Sequence, residues 1–239
     1  MDCFSKVNFP SLPKRPRDLQ LAGRGFREGG NMQKIQVKFG DWIEAGFNLY
    51  KNNFGILVLA SVFAVVIGAF TAGLLAGPML AGLVLITLQL LDRKEPSPEA
   101  GMVFKGFDYF LQSFLFVIIW GVGLLIGSVV LGVIPVIGQL ASIAFVYAAQ
   151  AFLMFGLFLI VDREMEWLPA SKLSINTVKT NFWPFFGLSA VAGIIGSLGA
   201  IACGIGVVFT IPIQGCILAI AYREIFGGPE GREKRPETG

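Results

Sequence analysis

The sequence predicts an all-α membrane protein with six transmembrane helices, arranged as three tandem hairpins that each follow an interfacial amphipathic helix. Hydrophobic residues make up 54% of the 239 residues and charged residues only 15%, whereas soluble domains carry about 25% charged residues. Three long runs contain no charged residue at all, and they lie at 52–91, 109–161 and 180–222. This distribution of charge indicates the class of protein better than the composition alone.

Each charge-free run is long enough for two membrane spans, because one transmembrane helix needs about 20 apolar residues. A glycine- or proline-bearing break falls near the middle of each run. In lipid the backbone must satisfy its own hydrogen bonds, which favours helices. The expected spans are 54–73, 75–92, 114–132, 138–161, 184–203 and 206–225.

The positions of the basic residues predict the orientation. All 19 Lys and Arg lie in the N-terminal region, two long loops and the C-terminal region, and the three hairpin turns carry no charge. Lys and Arg favour the cytoplasmic side of a membrane. We therefore expect both termini and both long loops to be cytoplasmic. No basic groove with interleaved aromatic residues is visible, so nucleic acid is not an expected partner.

The chain divides into a central membrane domain and two polar ends. Residues 1–38 are proline-bearing and basic, and are predicted to be a disordered N-terminal arm. Residues 39–226 form the six-span domain, and 227–239 a disordered C-terminal tail. Residues 1–30 lack the apolar segment of a signal peptide, so the first span is expected to direct insertion. Removing the residues before Met32 is expected to leave insertion unchanged.

Three segments that precede the hairpins are amphipathic. In the first, 41–54, apolar residues recur every three to four positions, which indicates a helix in the headgroup layer. Trp42 and Tyr50 are expected to be its interfacial anchors. The other two segments have apolar stripes of the same period, made of Val103, Phe107, Phe110 and Phe114 in the second and Leu168, Ile175, Val178 and Phe182 in the third.

A cluster of acidic and basic residues follows every second span. These exits read Asp92-Arg93, Asp162-Arg163-Glu164 and Arg223-Glu224. A catalytic cluster is expected once in a chain, whereas a membrane boundary recurs. We therefore interpret the exits as boundaries at which an arginine reaches the headgroups and an adjacent acid lowers its local charge.

The sequence predicts no catalytic, cofactor-binding or metal-binding residue. It contains no histidine, which excludes His-based triads, metal sites and proton shuttles. The polar residues within or near the predicted spans are glutamines, and we expect them to bond between helices more often than to line a polar path. They are Gln89, Gln139, Gln150 and Gln214. The cysteines, Cys3, Cys203 and Cys216, do not suggest a disulfide framework.

Several motifs resemble a broad group of uncharacterised bacterial six-span integral membrane proteins. They are WIEAGFNLYKNNFG, AGPMLAG, the exit LLDRKE and the closing segment IPIQGCILAIAYREIFG. The resemblance covers roughly residues 38–227 and includes the membrane region that accompanies some glycerophosphodiester phosphodiesterases. The soluble catalytic domain of those enzymes has no counterpart here, so their activity is not implied. The resemblance implies a multi-pass protein of the bacterial inner membrane with an unassigned role.

Three functional hypotheses follow. The first is a non-enzymatic accessory or assembly protein that meets a protein partner on the cytoplasmic face. The second is a passive transporter or lipid-handling protein that uses small-residue clefts and buried glutamines. The third, an enzyme, is disfavoured because no nucleophile–base pair is visible. The lipid bilayer is an expected partner in every case, and a homo-oligomer is compatible with each.

Overall fold

The structure is a computed structural model that describes residues 39–93, 95–201 and 205–227. The predicted arm 1–38, the tail beyond Gly227 and the thiols of Cys3 and Cys203 lie outside the described residues. Within the described residues, 86% are helical and none is in a strand. The all-α prediction is therefore confirmed.

The helices coincide with the predicted runs. Each predicted span corresponds to a helix whose ends lie within four residues of the expected ones, except that the fourth run is divided in two. The elements are α1 Phe39–Asn52, α2 Phe54–Phe70, α3 Ala76–Leu91, a 3-10 helix Ala100–Tyr109, α4 Phe110–Gly132, α5 Ile137–Leu153, α6 Gly156–Arg163, α7 Trp167–Thr180, α8 Phe182–Ile201 and α9 Ile205–Phe226.

Three helical segments in the described part of the chain are long and apolar enough to cross a membrane. They are 100–132, 137–163 and 206–226. The number becomes four if α1 and α2, which meet at 89°, are counted as one broken span. The helix α3 and the described part of α8 are apolar but shorter. These helices indicate a membrane protein.

The amphipathic helix α1 lies against the protein with the face that was expected to meet lipid headgroups. Trp42 is 1% exposed and Tyr50 is 5% exposed. Between them, a side chain on Gly46 would come within 2.6 Å of Cγ1 of Ile217 in α9. The prediction that Trp42 and Tyr50 are interfacial anchors is therefore wrong, because α9 covers both. Trp183, which is 77% exposed, suits that role better.

The other two amphipathic segments are also packed onto neighbouring helices. The 3-10 helix packs on α3, and α7 packs on α5 and α6, just as α1 packs on α9. A small residue stands at each close approach, eight residues before Phe54, Phe114 and Phe182 in turn. These small residues are Gly46, Gly106 and Ser174. Each amphipathic segment therefore packs on the last helix of a different predicted hairpin.

The fourth predicted run is interrupted by a side chain from α7. The Ser174 hydroxyl donates to the Phe152 carbonyl at 2.7 Å and accepts from the Phe155 N–H at 3.3 Å. A side chain inserted into the helical hydrogen-bond ladder is a recognised cause of a break. The run is consequently divided into α5 and α6, while Phe155 itself is fully buried in the core.

Candidate functional site: the Arg223 ion cluster

The three charged exits meet at one point. Asp92 follows the last residue of α3, Asp162 lies in the last turn of α6, and Arg223 lies in the last turn of α9. Arg223 NH2 is 2.7 Å from Oδ2 of Asp92 and 2.9 Å from Oδ1 of Asp162. The C-terminal ends of these three helices therefore lie side by side, joined by one cation between two carboxylates.

Arg223 uses all five of its N–H donors in this cluster. Nε and NH2 donate to the two oxygens of Asp92, at 3.1 and 2.7 Å. NH1 and NH2 donate to Asp162, each at 2.9 Å. The remaining NH1 proton reaches the Gly227 carbonyl at 3.4 Å. Asp162 also accepts a 2.9 Å bond from the Tyr222 hydroxyl.

The helix ends explain why the arrangement needs an arginine. A helix C-terminus carries a partial negative charge, so a carboxylate there is unfavourable and a cation is favourable. Asp92 and Asp162 both stand at C-terminal ends, and their side chains are only 11% and 17% exposed. Arg223 compensates both, and its planar fork suits two carboxylates better than a lysine would.

Two further contacts tie neighbouring elements to the cluster. Arg163 NH2 donates to the Phe226 carbonyl at 2.8 Å, and its guanidinium lies over the Phe226 ring. Trp42 Nε1 donates to the Glu224 carboxylate, which joins α1 to α9. The cytoplasmic end predicted from sequence is thus one polar network that includes α1, α3, α6 and α9.

The three exits, which the sequence predicted to be membrane boundaries, are joined to one another through Arg223. The prediction that each acid screens its neighbouring arginine is wrong for Arg223, because Glu224 bonds to Trp42 instead. Asp162 likewise pairs with Arg223, 61 residues away. Arg93 is exposed and lies at a positive φ of 51°. One arginine of the three is central, and the pattern of the sequence did not distinguish it.

The four glutamines are not brought together. Gln89 and Gln214 are half-buried, whereas Gln139 and Gln150 are exposed. Within the described residues, no hydrogen bond joins any of the four amides to another helix. The expectation that they bond between helices is therefore not met in this part of the chain. Gln112, which was not singled out as a bonding residue, instead accepts a 3.0 Å bond from the Trp167 N–H at the start of α7.

Two open clefts lie beside the packed core. The first, of about 550 Å³, is close to the cluster and includes Asp108, Gln112 and Glu164 in its lining. The second is a lateral groove of about 360 Å³ between α5 and α8. Its lining is Ser142, Ile143, Val146, Tyr147, Gln150 and Gly193.

Comparison with known proteins leaves the cluster as the principal guide to function. No protein-family model, curated protein or solved structure matches this chain.

Proposed function

We propose that this chain is a six-span protein of the bacterial inner membrane, with cytoplasmic termini, that serves as a non-enzymatic accessory or assembly protein. In this proposal α2–α3, α4 with α5 and α6, and α8–α9 are three membrane hairpins. The segments α1, the 3-10 helix and α7 lie at the cytoplasmic surface. The observation that carries the proposal is the Arg223 cluster, which joins the exits of all three hairpins.

The cluster supports a hairpin topology because α3, α6 and α9 end together. Three helices whose C-termini meet at one side of a membrane must each have entered from the other side. The segments before them must then have crossed in the opposite sense. The short α2 and α3, of 17 and 16 residues, are compatible with spanning because a bilayer thins locally around short helices.

Cysteine labelling tests this topology in a background without the native cysteines. The variants Ala72→Cys and Val136→Cys place thiols in two exposed hairpin turns, and Ser97→Cys places one in an exposed cytoplasmic loop. A membrane-impermeant maleimide should label the first two in intact cells and the third only after permeabilisation. Labelling of Ala72→Cys from the inside only would make α2–α3 a re-entrant pair and reduce the number of spans.

The accessory role is supported by how charge is divided at the cytoplasmic end. The half-buried ions Arg223, Asp92 and Asp162 bond to one another, which favours a structural task over a chemical one. The outer faces of the amphipathic helices remain polar and exposed. The outer face of α1 carries Asp41 and Glu44, and that of α7 carries Lys172 and Lys179. In this proposal the two faces form the platform that a partner meets, acidic at the start of α1 and basic on α7.

Charge reversal tests the platform. The full chain is extracted in mild detergent and its retained partners are weighed by native mass spectrometry. We expect a stoichiometric protein partner on the wild type that is lost from either Asp41→Lys with Glu44→Lys or Lys172→Glu with Lys179→Glu. The control Gln139→Glu, at the opposite end of α5, should keep it. A partner that survives both reversals, or no protein partner in any sample, contradicts the proposal.

The alternative, a passive transporter or lipid-handling protein, is favoured by a different observation. The groove between α5 and α8 contains the exposed amide of Gln150 at the centre of the predicted span 138–161. A lipid rather than a protein can be retained in the same experiment, and both charge reversals can leave it bound. That result supports the alternative and contradicts the accessory role.

A further inference from the structure

The lateral groove has polar groups that find no hydrogen-bond partner among the described residues. Gln150 and Tyr147 both line it. Within the described residues, neither the Gln150 amide nor the Tyr147 hydroxyl makes a hydrogen bond. The other hydroxyl in the groove, that of Ser142, is already used, because it donates to the Ser128 carbonyl at 3.3 Å. Two neighbouring side chains with three N–H and O–H donors therefore face an open space.

Their depth makes this costly in a membrane. Gln150 is thirteen residues before Arg163, which is about 20 Å along a helix at a rise of about 1.5 Å per residue. The hydrocarbon layer is about 30 Å thick, so water and headgroups do not reach this level from either side. An unsatisfied polar group in hydrocarbon is strongly disfavoured. The geometry therefore calls for an acceptor supplied from outside the chain.

We propose that the groove binds a neutral lipid through a carbonyl oxygen, which accepts hydrogen bonds from Gln150 and Tyr147. This inference rests on the membrane placement proposed above. A carbonyl oxygen fits because it can accept from the three N–H and O–H donors of these two side chains. A neutral molecule fits because no charged side chain lines the groove, and a charge at this depth without a partner is costly.

The shape of the groove agrees with a small occupant. Its volume of about 360 Å³ lies within the range of about 300–1,000 Å³ typical of ligand sites. The groove is narrow at its floor because the Tyr147 ring lies directly over Gly193, where any side chain would overlap the ring. At its rim Ile143 and Ile194 are 56% and 55% exposed. The groove therefore opens sideways onto an apolar surface along which an acyl chain can lie.

The test is a binding titration with 1,2-dioleoylglycerol on the full chain in detergent micelles, followed by native mass spectrometry. We expect saturable 1:1 binding by the wild type. Gln150→Leu should weaken it about tenfold, which corresponds to about 1.4 kcal/mol. Tyr147→Phe, which removes one hydroxyl and keeps the ring over Gly193, should weaken it by a smaller factor. The matched control is Gln139→Leu, an exposed glutamine on the same helix outside the groove, and it should bind as the wild type does.

Several results would overturn the inference. Equal affinity in all four proteins would show that the groove does not take the lipid, and so would an absence of saturable binding. Equally tight binding of dioleoylphosphatidylglycerol would contradict the selection for a neutral lipid. A dimer that Gln150→Leu converts to a monomer would place a second copy of the chain in the groove instead. Because cysteine labelling needs no ligand, failure of this inference is distinguishable from failure of the proposed topology.

Discussion

The helices α3 and α4 have similar apolar sequences but opposite surroundings. Ten of the 16 residues of α3 are buried in the protein, whereas only Ser113 and Phe116 are buried among the 23 residues of α4. In α3, a side chain on Gly82 would overlap the Val103 carbonyl of the 3-10 helix. In α4, Gly121 and Gly123 have open space around them.

The difference teaches that hydrophobicity does not decide which apolar helix becomes part of the core. An apolar side chain gains little by leaving lipid for protein, since both surroundings are apolar. Close backbone approach and polar bonds decide instead. The helix α3 has Gly77 and Gly82 at close backbone contacts and Asp92 in the ion cluster. Beyond Trp120, the helix α4 meets α5 at Gly127 and through the bond from the Ser142 hydroxyl to the Ser128 carbonyl, and most of its residues remain exposed.

The largest expected effect comes from removing Arg223, the cation of α9 that pairs with Asp92 at the end of α3. Arg223→Met removes the cation between two poorly exposed carboxylates, and breaking such an ion pair costs about 3–5 kcal/mol. Thermal unfolding in detergent micelles measures this loss. Adding Asp92→Asn and Asp162→Asn to the same protein should recover most of it, because the uncompensated charges are then gone. A loss below about 1 kcal/mol in the single variant would mean that the cluster does not hold the helix ends together.

A smaller effect is expected from the glycines, and it has opposite signs in the two helices. Gly82→Ala places a methyl group against the backbone of the 3-10 helix and should lower the free energy of unfolding by about 1–3 kcal/mol. Gly123→Ala meets open space and should stabilise by up to about 1 kcal/mol through helix propensity. Each variant differs from the wild type by one added methyl group, so the two substitutions are chemically identical. If both shift the midpoint of unfolding in the same direction, the contrast between α3 and α4 is wrong.

The smallest effect divides α4 itself into two halves. At the end of its first half, Trp120 Nε1 donates to the Ser171 hydroxyl of α7 at 2.9 Å. Trp120→Phe should therefore cost about 1 kcal/mol. In the far half, the Ser128 hydroxyl bonds only to its own helix, at the Leu125 carbonyl. Ser128→Ala should leave the free energy of unfolding unchanged. A loss of stability for Ser128→Ala that exceeds the loss for Trp120→Phe would show that the far half of α4 is packed more tightly than its first half.

Much of the fold was predictable because helices in charge-free runs depend on local composition. The run 75–92 and the helix Ala76–Leu91 differ by one residue at each end. The division of the fourth run was not predictable, since it is caused by Ser174 of α7 and the run itself contains no charged residue and no proline. The orientation of Trp42 was missed for a related reason: an amphipathic pattern identifies an apolar face but does not reveal whether lipid or protein covers it.

The candidate site was visible as residues but not as an arrangement. The three exits were recognised as a repeated feature and interpreted as membrane boundaries, and the pattern did not indicate that they meet. Asp92 and Arg223 are separated by 131 residues, and no local pattern indicates such a pair. The small residues Gly46, Gly106 and Ser174 were a usable signal, because they stand at the same distance before each junction and mark where the amphipathic segments pack.

The position of Arg223 along the chain also has a consequence for biosynthesis. Ribosomes add about 5–20 residues per second, so the 131 residues between Asp92 and Arg223 take roughly 7–26 s to synthesise. Asp92 is present throughout that interval, and Asp162 during its last 61 residues, while their counterion has not been made. The nascent protein must therefore wait for α9 before its three helix ends can join. A ribosome that stalls earlier leaves a bundle whose Asp92 and Asp162 lack the arginine that joins them in the finished protein.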